Sequence, residues 1–210
     1  MRLPVIISIL AVASINPIMA QNAYISLGKK ALFDGNYKQA VMQLEKAYLV
    51  DSTNTNALFM LGYSYYQSQN YAKSIATFNR QLAISPNEAQ AYYYRARAKT
   101  FLGKDFGLTP AEREKYLLGA IWDYTHAITS SPKDEKINSF YQNRGIAYRE
   151  YGVFKAQANL PTYDKVRAIK SLKASIEELE KILASEPHRN DIVTQLDLSK
   201  EKLAGLVGHH

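Results

Sequence analysis

Four thirteen-residue blocks of this chain align without a gap, and no other feature limits so strongly what it can fold into. Residues 40–52 read AVMQLEKAYLVDS, 74–86 SIATFNRQLAISP, 120–132 AIWDYTHAITSSP and 175–187 SIEELEKILASEP. Each opens on a small residue. A bulky residue follows four positions later (Leu44, Phe78, Tyr124, Leu179), and a further contact residue three beyond that (Ala47, Gln81, Ala127, Ile182). Steps of four and three return side chains to one face of an α-helix. Three of the blocks end on proline, which cannot donate the backbone hydrogen bond that a continuing helix needs. A second helix precedes each block. Its register is marked by Gly28, Gly62, Ala96 or Gly145, with a large Tyr24, Leu58, Tyr92 or Tyr141 four positions earlier. Gly28 to Gly62 and Gly62 to Ala96 are both 34 residues, and Tyr37 and Tyr71 keep the same period. A unit of two short amphipathic helices cannot bury its apolar face alone and has to stack on its neighbours.

On these residues the chain resembles the tetratricopeptide repeat (TPR) family over roughly residues 22–187. The second repeat carries the resemblance most fully, with Leu58, Leu61, Gly62, Tyr65, Tyr71, Phe78 and Pro86 in place. Ser74 and Gln81 stand there where the family usually has alanine. The resemblance implies an all-α fold, a TPR-type α-solenoid: a right-handed superhelix of helical hairpins with about four repeats and a C-terminal capping helix. The expected division is a signal peptide at 1–20, a TPR domain at 21–187 and a capping helix and tail at 188–210. The repeats fall at about 21–54, 55–88, 89–134 and 135–187. The cap is legible in Ile192, Leu196, Leu203 and Leu206, which share one helical face.

Two departures from a regular repeat carry physical expectations. The third and fourth repeats are stretched: Ala96 to Pro132 is 36 residues and Gly145 to Pro187 is 42, against 24 from Gly62 to Pro86. Thr109 with Glu112 three residues on is a capping box, and Pro110 suits a first helical turn. The third repeat's second helix is therefore expected to run from near Pro110 to about Thr129, and the fourth repeat's from about Thr162 to Ser185. Both are expected to project beyond the solenoid edge and pack side by side, with Trp122 in the core. The second departure is in charge. Just before the marker, Leu27 and Leu61 give way to Arg95 and Arg144. In the next helix, Gln43 and Thr77 give way to Asp123 and Glu178. A half-buried arginine needs a counter-charge, so Arg95–Asp123 and Arg144–Glu178 pairs are predicted.

The N-terminus, MRLPVIISILAVASINPIMAQN, has one positive charge, a short apolar core, Pro17 and a small Ala20. This pattern predicts a secretory signal peptide cleaved after Ala20, and so a periplasmic or extracellular protein that does not span a membrane once the signal is removed. The Gln-Asn start of the mature chain resembles secreted proteins of the Bacteroidota. With no cysteine, the chain has neither disulfides nor thiolate chemistry. Its net charge of +7 reads as a solvated surface, the alternative being a bias toward acidic partners. Nucleic acid is not expected as a partner, because export removes the chain from it.

Function is expected in the concave groove that first helices line in this family. In this register the groove-facing residues are Phe59, Tyr63, Tyr66 and Gln67 of the second repeat and Tyr93, Arg97, Thr100 and Phe101 of the third, with Arg149 from the fourth. Tyrosine and arginine are the side chains that most often dominate binding energy. Tyr24, Tyr65, Tyr92, Tyr141 and Tyr148 are assigned to packing. Some members of the family clamp a C-terminal carboxylate with Lys, Asn and Arg. The corresponding Ile25, Lys29, Met60, Gln90 and Tyr94 include one base only, so no such clamp is expected. There is no Gly-rich phosphate loop and no pair of histidines at ligand spacing outside the tail, so neither cofactor, metal nor catalysis is expected. The reading is a non-catalytic adaptor or scaffold of the cell envelope that binds a protein or peptide. The alternative is a glycan- or small-ligand-binding accessory protein.

Overall fold

The structure, a computed structural model, describes residues 17–208. Among them are nine α-helices and no strand: α1 (Pro17–Phe33), α2 (Tyr37–Val50), α3 (Thr55–Gln67), α4 (Tyr71–Ile84), α5 (Ala89–Gly103), α6 (Pro110–Ser130), α7 (Ile137–Lys155), α8 (Lys165–Ser185) and α9 (Asn190–Val207). Most of the expected signal peptide lies outside the described residues. Gln21, which follows the expected cleavage point, is buried and donates to the Asp51 carbonyl at 3.4 Å.

Local chemistry sets the helix ends. Asn36, Asn54, Asn70 and Asp164 each accept from the backbone N–H three residues on, satisfying a donor that the first helical turn leaves open. Thr109 and Glu112 form the predicted capping box, with Pro110 first in the helix. At the far ends, Ser85, Ser131 and Glu186 each precede a proline and leave the helical region, with ψ of 85°, 68° and 71°, because a following pyrrolidine ring disfavours the α conformation. The turns of the first two hairpins need a left-handed residue. Gly35 supplies it in the first (φ 71°), and Gln69, 34 positions on, has to supply it in the second (φ 62°).

Successive helices pack as antiparallel hairpins, and each first helix also touches the next first helix: α1 with α3, α3 with α5, α5 with α7 and α7 with α9. This makes an inner layer of first helices and an outer layer of second helices, a TPR-type α-solenoid. The markers act as the register requires. A Cβ on Gly28 would meet Leu44 at 2.6 Å, one on Gly62 the Phe78 ring at 2.9 Å, and one on Gly145 Leu179 at 3.3 Å. The same bulky block residue thus presses on the same small marker in each case, and Ala96 shares a fully buried cluster with Tyr124.

Two expectations about the inserts need correction. The lengthened α6 and α8 are not neighbours. The added turn of α6 packs instead against the C-terminal end of α7, where Leu117, Tyr151 and Phe154 form a buried cluster. The insertion lengthens α7 as well, to 19 residues against 13 for α3. An N-terminal extension of α8 would otherwise have nothing antiparallel to cover it. Gly152 lies against Leu172 and Ala168 of α8, and Lys155, almost fully buried, pairs with Glu114 of α6 at 3.2 Å. α9 covers the last hairpin through Ile192 and Leu196, which close over Leu179 and Ile182.

Candidate functional site

On the inner layer, α3 and α5 bring a continuous set of rings together. Phe59 and Tyr63, one helical turn apart, stack at 6.5 Å between ring centres. Tyr94 of α5 inserts between the helices, 4.9 Å from Tyr63, 5.8 Å from Tyr66 and 5.9 Å from Phe59. Tyr71 stacks flat on Phe101 at 4.6 Å. Arg97 stands among them, its guanidinium carbon 4.9 Å from the Tyr66 ring centre, 5.6 Å from Tyr93 and 5.8 Å from Tyr94. No carboxylate of the described residues pairs with it, in contrast to Arg95, Arg144 and Arg149. Burial opposes the charge of Arg97, but the surrounding phenols outweigh burial and its pKa is raised. Burial, with the phenols of Tyr63 and Tyr93 added, pushes Tyr94 up to about 12, and burial raises Tyr66 and Tyr93 as well. Tyr66, Tyr93 and Tyr94 are therefore neutral and the guanidinium charged across ordinary pH.

The predicted groove residues divide into three groups. Phe59, Tyr63, Gln67, Arg97 and Thr100 are half-buried and Phe101 is exposed, so all six reach the surface. Gln67 donates to the Tyr63 hydroxyl at 2.7 Å, and the Thr100 hydroxyl donates back to the Ala96 carbonyl. Tyr66 and Tyr93 are only 6% and 8% exposed, so they form the floor of the groove rather than its rim. Tyr93 lies against Tyr124 and Phe140 and accepts from Asn143 at 3.2 Å. Arg149 is engaged by α9: it donates to the Gln195 side chain at 2.6 Å and touches Glu150 at 3.3 Å. With Arg189 donating to Gln142 (3.2 Å), α9 occupies the α7 part of the groove. The open part runs over α3 and α5 and ends in a recess of about 140 Å³ beside Arg97, Thr100, Lys104 and Asn143.

Tyr94 is the central ring, and it is absent from the groove set expected from the register. A signal for it was present in the run Tyr92-Tyr93-Tyr94. Three successive helical positions span about 200° of the helix surface, so no single packing partner can cover all three. Here Tyr92 turns to the outer layer, Tyr93 to α6 and α7, and Tyr94 to α3.

The outer layer holds both predicted ion pairs. Asp123, fully buried, accepts from Arg95 at 2.9 and 2.6 Å. Arg144 donates to Glu178, where burial raises the carboxyl pKa against the pull of the arginine. Each arginine also reaches the preceding repeat, at Asn79 (2.8 Å) or Thr125 (3.1 Å), the residue after the bulky block position in both cases. Lys99 is a second cation on Asp123, at 2.8 Å. Trp122, expected in the core, is 51% exposed on this outer face, stacked on His126 at 3.5 Å and edge-on to Tyr92. These side chains fill the space between α4 and α6. Between α2 and α4 the equivalent positions hold Leu61, Ala76, Thr77 and Arg80, and a recess of about 610 Å³ stays open there. Among the described residues no cluster of His, Cys, Asp and Glu could hold a metal ion, and no helix is long and apolar enough to cross a membrane.

A family model described as Tetratricopeptide repeat matches residues 31–100. Among solved structures, the chain is similar to MamA in the crystal (22% identity, 78% of this chain and 81% of that one, TM-score 0.55). It is also similar to a mutant form of MamA (18%, 92% and 95%, TM-score 0.59). A third similarity is to the second TPR domain of human RPAP3, solved with the HSP70 peptide SGPTIEEVD (18%, 67% and 98%, TM-score 0.50). At these identities the likeness is one of fold. No curated protein matches the chain.

Proposed function

We propose that this chain is an exported, non-catalytic adaptor of the cell envelope that holds an extended peptide or a helix of a partner protein in the α3–α5 groove. One observation carries the reading: Arg97 is a half-buried guanidinium in a wall of neutral phenols, with no carboxylate of its own among the described residues. A cation so placed is stabilised by the ring faces and leaves its remaining donors for an acidic or carbonyl group of a ligand. Tyr63 and Phe101 give apolar area with little rotamer freedom to lose. That RPAP3 is solved with a peptide agrees with a groove of this fold taking an extended chain. Export rests on the N-terminal pattern of residues 1–20.

The test is site-specific photo-crosslinking from position 63 or position 101 in envelope extracts, with position 122 on the outer layer as the contrast. A partner captured from the groove positions, and lost with Arg97→Gln in a folded protein, is expected. Capture from position 122 alone would place the interface on the other layer. N-terminal sequencing of the exported protein is expected to begin at Gln21, and an uncleaved chain retained in the cytoplasm would remove the envelope role. A second reading, a glycan-binding accessory protein, is favoured by the half-exposed Trp122. It is checked by quenching of this single indole in a glycan screen.

A further inference from the structure

The inserted turns of the third and fourth repeats enclose a charged recess that the groove does not use. Arg113, on the added turn of α6, is only 7% exposed. Its Nε donates to the Gly103 carbonyl at 3.1 Å, where α5 ends. Phe106 covers one aromatic contact of its guanidinium at 4.5 Å and Phe154 of α7 another at 5.1 Å. The two terminal nitrogens make no hydrogen bond to a described residue, and no carboxylate lies within ion-pair distance of them. Arg113 lines a recess of about 120 Å³ together with Lys104, Phe106, Leu117, Glu150 and Phe154. Glu150 does not neutralise Arg113, because its carboxylate is turned to Arg149 (3.3 Å) and Lys104 (3.9 Å). The guanidinium is largely desolvated with no counter-ion, while its terminal nitrogens are not sealed off, so an anion that reaches them is favoured. Phe106 is 84% exposed, so the loop commits an exposed phenyl ring to covering this cation.

We propose that this recess binds a monocarboxylate with a short apolar neighbour, carried either by a small free acid or by the C-terminal residue of a peptide. With rings packed against the guanidinium, its in-plane edge is the open approach, and two parallel N–H donors there match the two oxygens of a planar carboxylate. Lys104 adds a second positive charge at the mouth. Leu117 and Phe154 receive the carbon beside the carboxylate. Glu150 selects against dianions: phosphate would bring a second negative charge next to a carboxylate already present. The site shares Lys104 with the recess at the end of the groove but not Arg97, and its test does not depend on the groove.

The experiment is an amide-resolved NMR titration of the purified chain at constant ionic strength with propionate, propionamide and inorganic phosphate. Propionate is expected to give saturable shifts at residues 103–108 and at the end of α7, whereas propionamide and phosphate are not. Arg113→Gln is expected to weaken propionate at least about tenfold, the scale of a charge-assisted hydrogen-bonded pair. Glu150→Gln is expected to keep propionate and to admit phosphate. A blocked alanine peptide with a free C-terminus, compared with its amide, assigns the source. Tighter binding of the peptide acid than of propionate points to a partner's terminus, and equal binding to a free acid. Equal shifts with propionamide, no saturable shift, or undiminished binding in Arg113→Gln would overturn the proposal. If Arg113→Gln does not fold, Arg113→Lys and Glu150→Gln decide: propionate unmoved by the first and phosphate still excluded by the second refute it.

Discussion

Replacing Asp123 with alanine removes a fully buried carboxylate from between Arg95 and Lys99, whose side chains are 11% and 18% exposed. Nothing else acidic is within reach of either cation, so two largely buried positive charges, one turn apart on α5, are left facing α6 without a counter-charge. Breaking a buried pair by deleting one partner costs about 3–5 kcal/mol, because the remaining charge is desolvated without compensation. Arg95 keeps its bond to Asn79 and its place over Tyr92 (5.2 Å), and this holds the expected loss within that range. The chain contains its own control. The second repeat has Leu61, Tyr65 and Thr77 at the positions of Arg95, Lys99 and Asp123. The triple variant Arg95→Leu, Lys99→Tyr, Asp123→Thr removes both charges with the acid, and an apolar replacement of a whole ionic group is often near neutral. It is expected within about 1–2 kcal/mol of the parent, of the order of ordinary core changes. Urea unfolding followed by far-ultraviolet circular dichroism gives the global loss. Fluorescence of the single Trp122, which adjoins Asp123, reports the third repeat directly. In a solenoid a weakened interface can separate the two transitions, which would itself locate the damage. A single substitution costing under about 1 kcal/mol, or a triple as costly as the single, would refute the claim that this ionic group holds the third repeat by mutual neutralisation.

Two further outcomes follow from the same geometry. Gly62→Ala forces a methyl to 2.9 Å from the Phe78 ring, which is fully buried and cannot retreat. A loss of about 1–3 kcal/mol in chemical denaturation is expected, the usual cost of overpacking. Gly145→Ala meets Glu178 and Leu179 only at 3.3 Å and gains helix propensity of about 1 kcal/mol, so it is expected near neutral; equal losses at the two sites would contradict the packing. For pH, Tyr94 is held near 12 in the fold while an unfolded phenol titrates at about 10. Between these values the unfolded chain has released a proton that the folded chain keeps. Stability is therefore unaffected by this group below the unfolded value and falls as pH rises through the window. Denaturant midpoints at about pH 9 and about pH 11 should show the decline, and Tyr94→Phe should reduce it; an unchanged slope in that variant would show that Tyr94 is not the group responsible.

Much of the architecture was legible because it depends on spacing. A small residue at Gly28, Gly62, Ala96 and Gly145 with a bulky partner at Leu44, Phe78, Tyr124 and Leu179 is a steric requirement, and sterics leave a period in the sequence. The two ion pairs were legible because an arginine at a helix contact calls for an acid on the adjoining helix. The site was legible only in outline. Register puts a residue on a face, but how far successive hairpins are rotated decides which of two adjacent tyrosines, Tyr93 or Tyr94, faces α3 and which faces α7. The engagement of Arg149 by Gln195 joins residues 46 positions apart, a distance over which no period runs.

The sequence by itself thus determined the repeating unit, its helix ends and its internal neutralisation, since each is fixed by contacts within one hairpin or with the next. Only the tertiary structure decided where the inserted turns go, which cation stays unpaired and which recess stays open. Those outcomes depend on the space left over when hairpins of unequal length are stacked, and that space is set by several elements at once. It follows that Arg97 and Arg113, two arginines indistinguishable in the sequence from those in ion pairs, have no carboxylate of their own among the described residues.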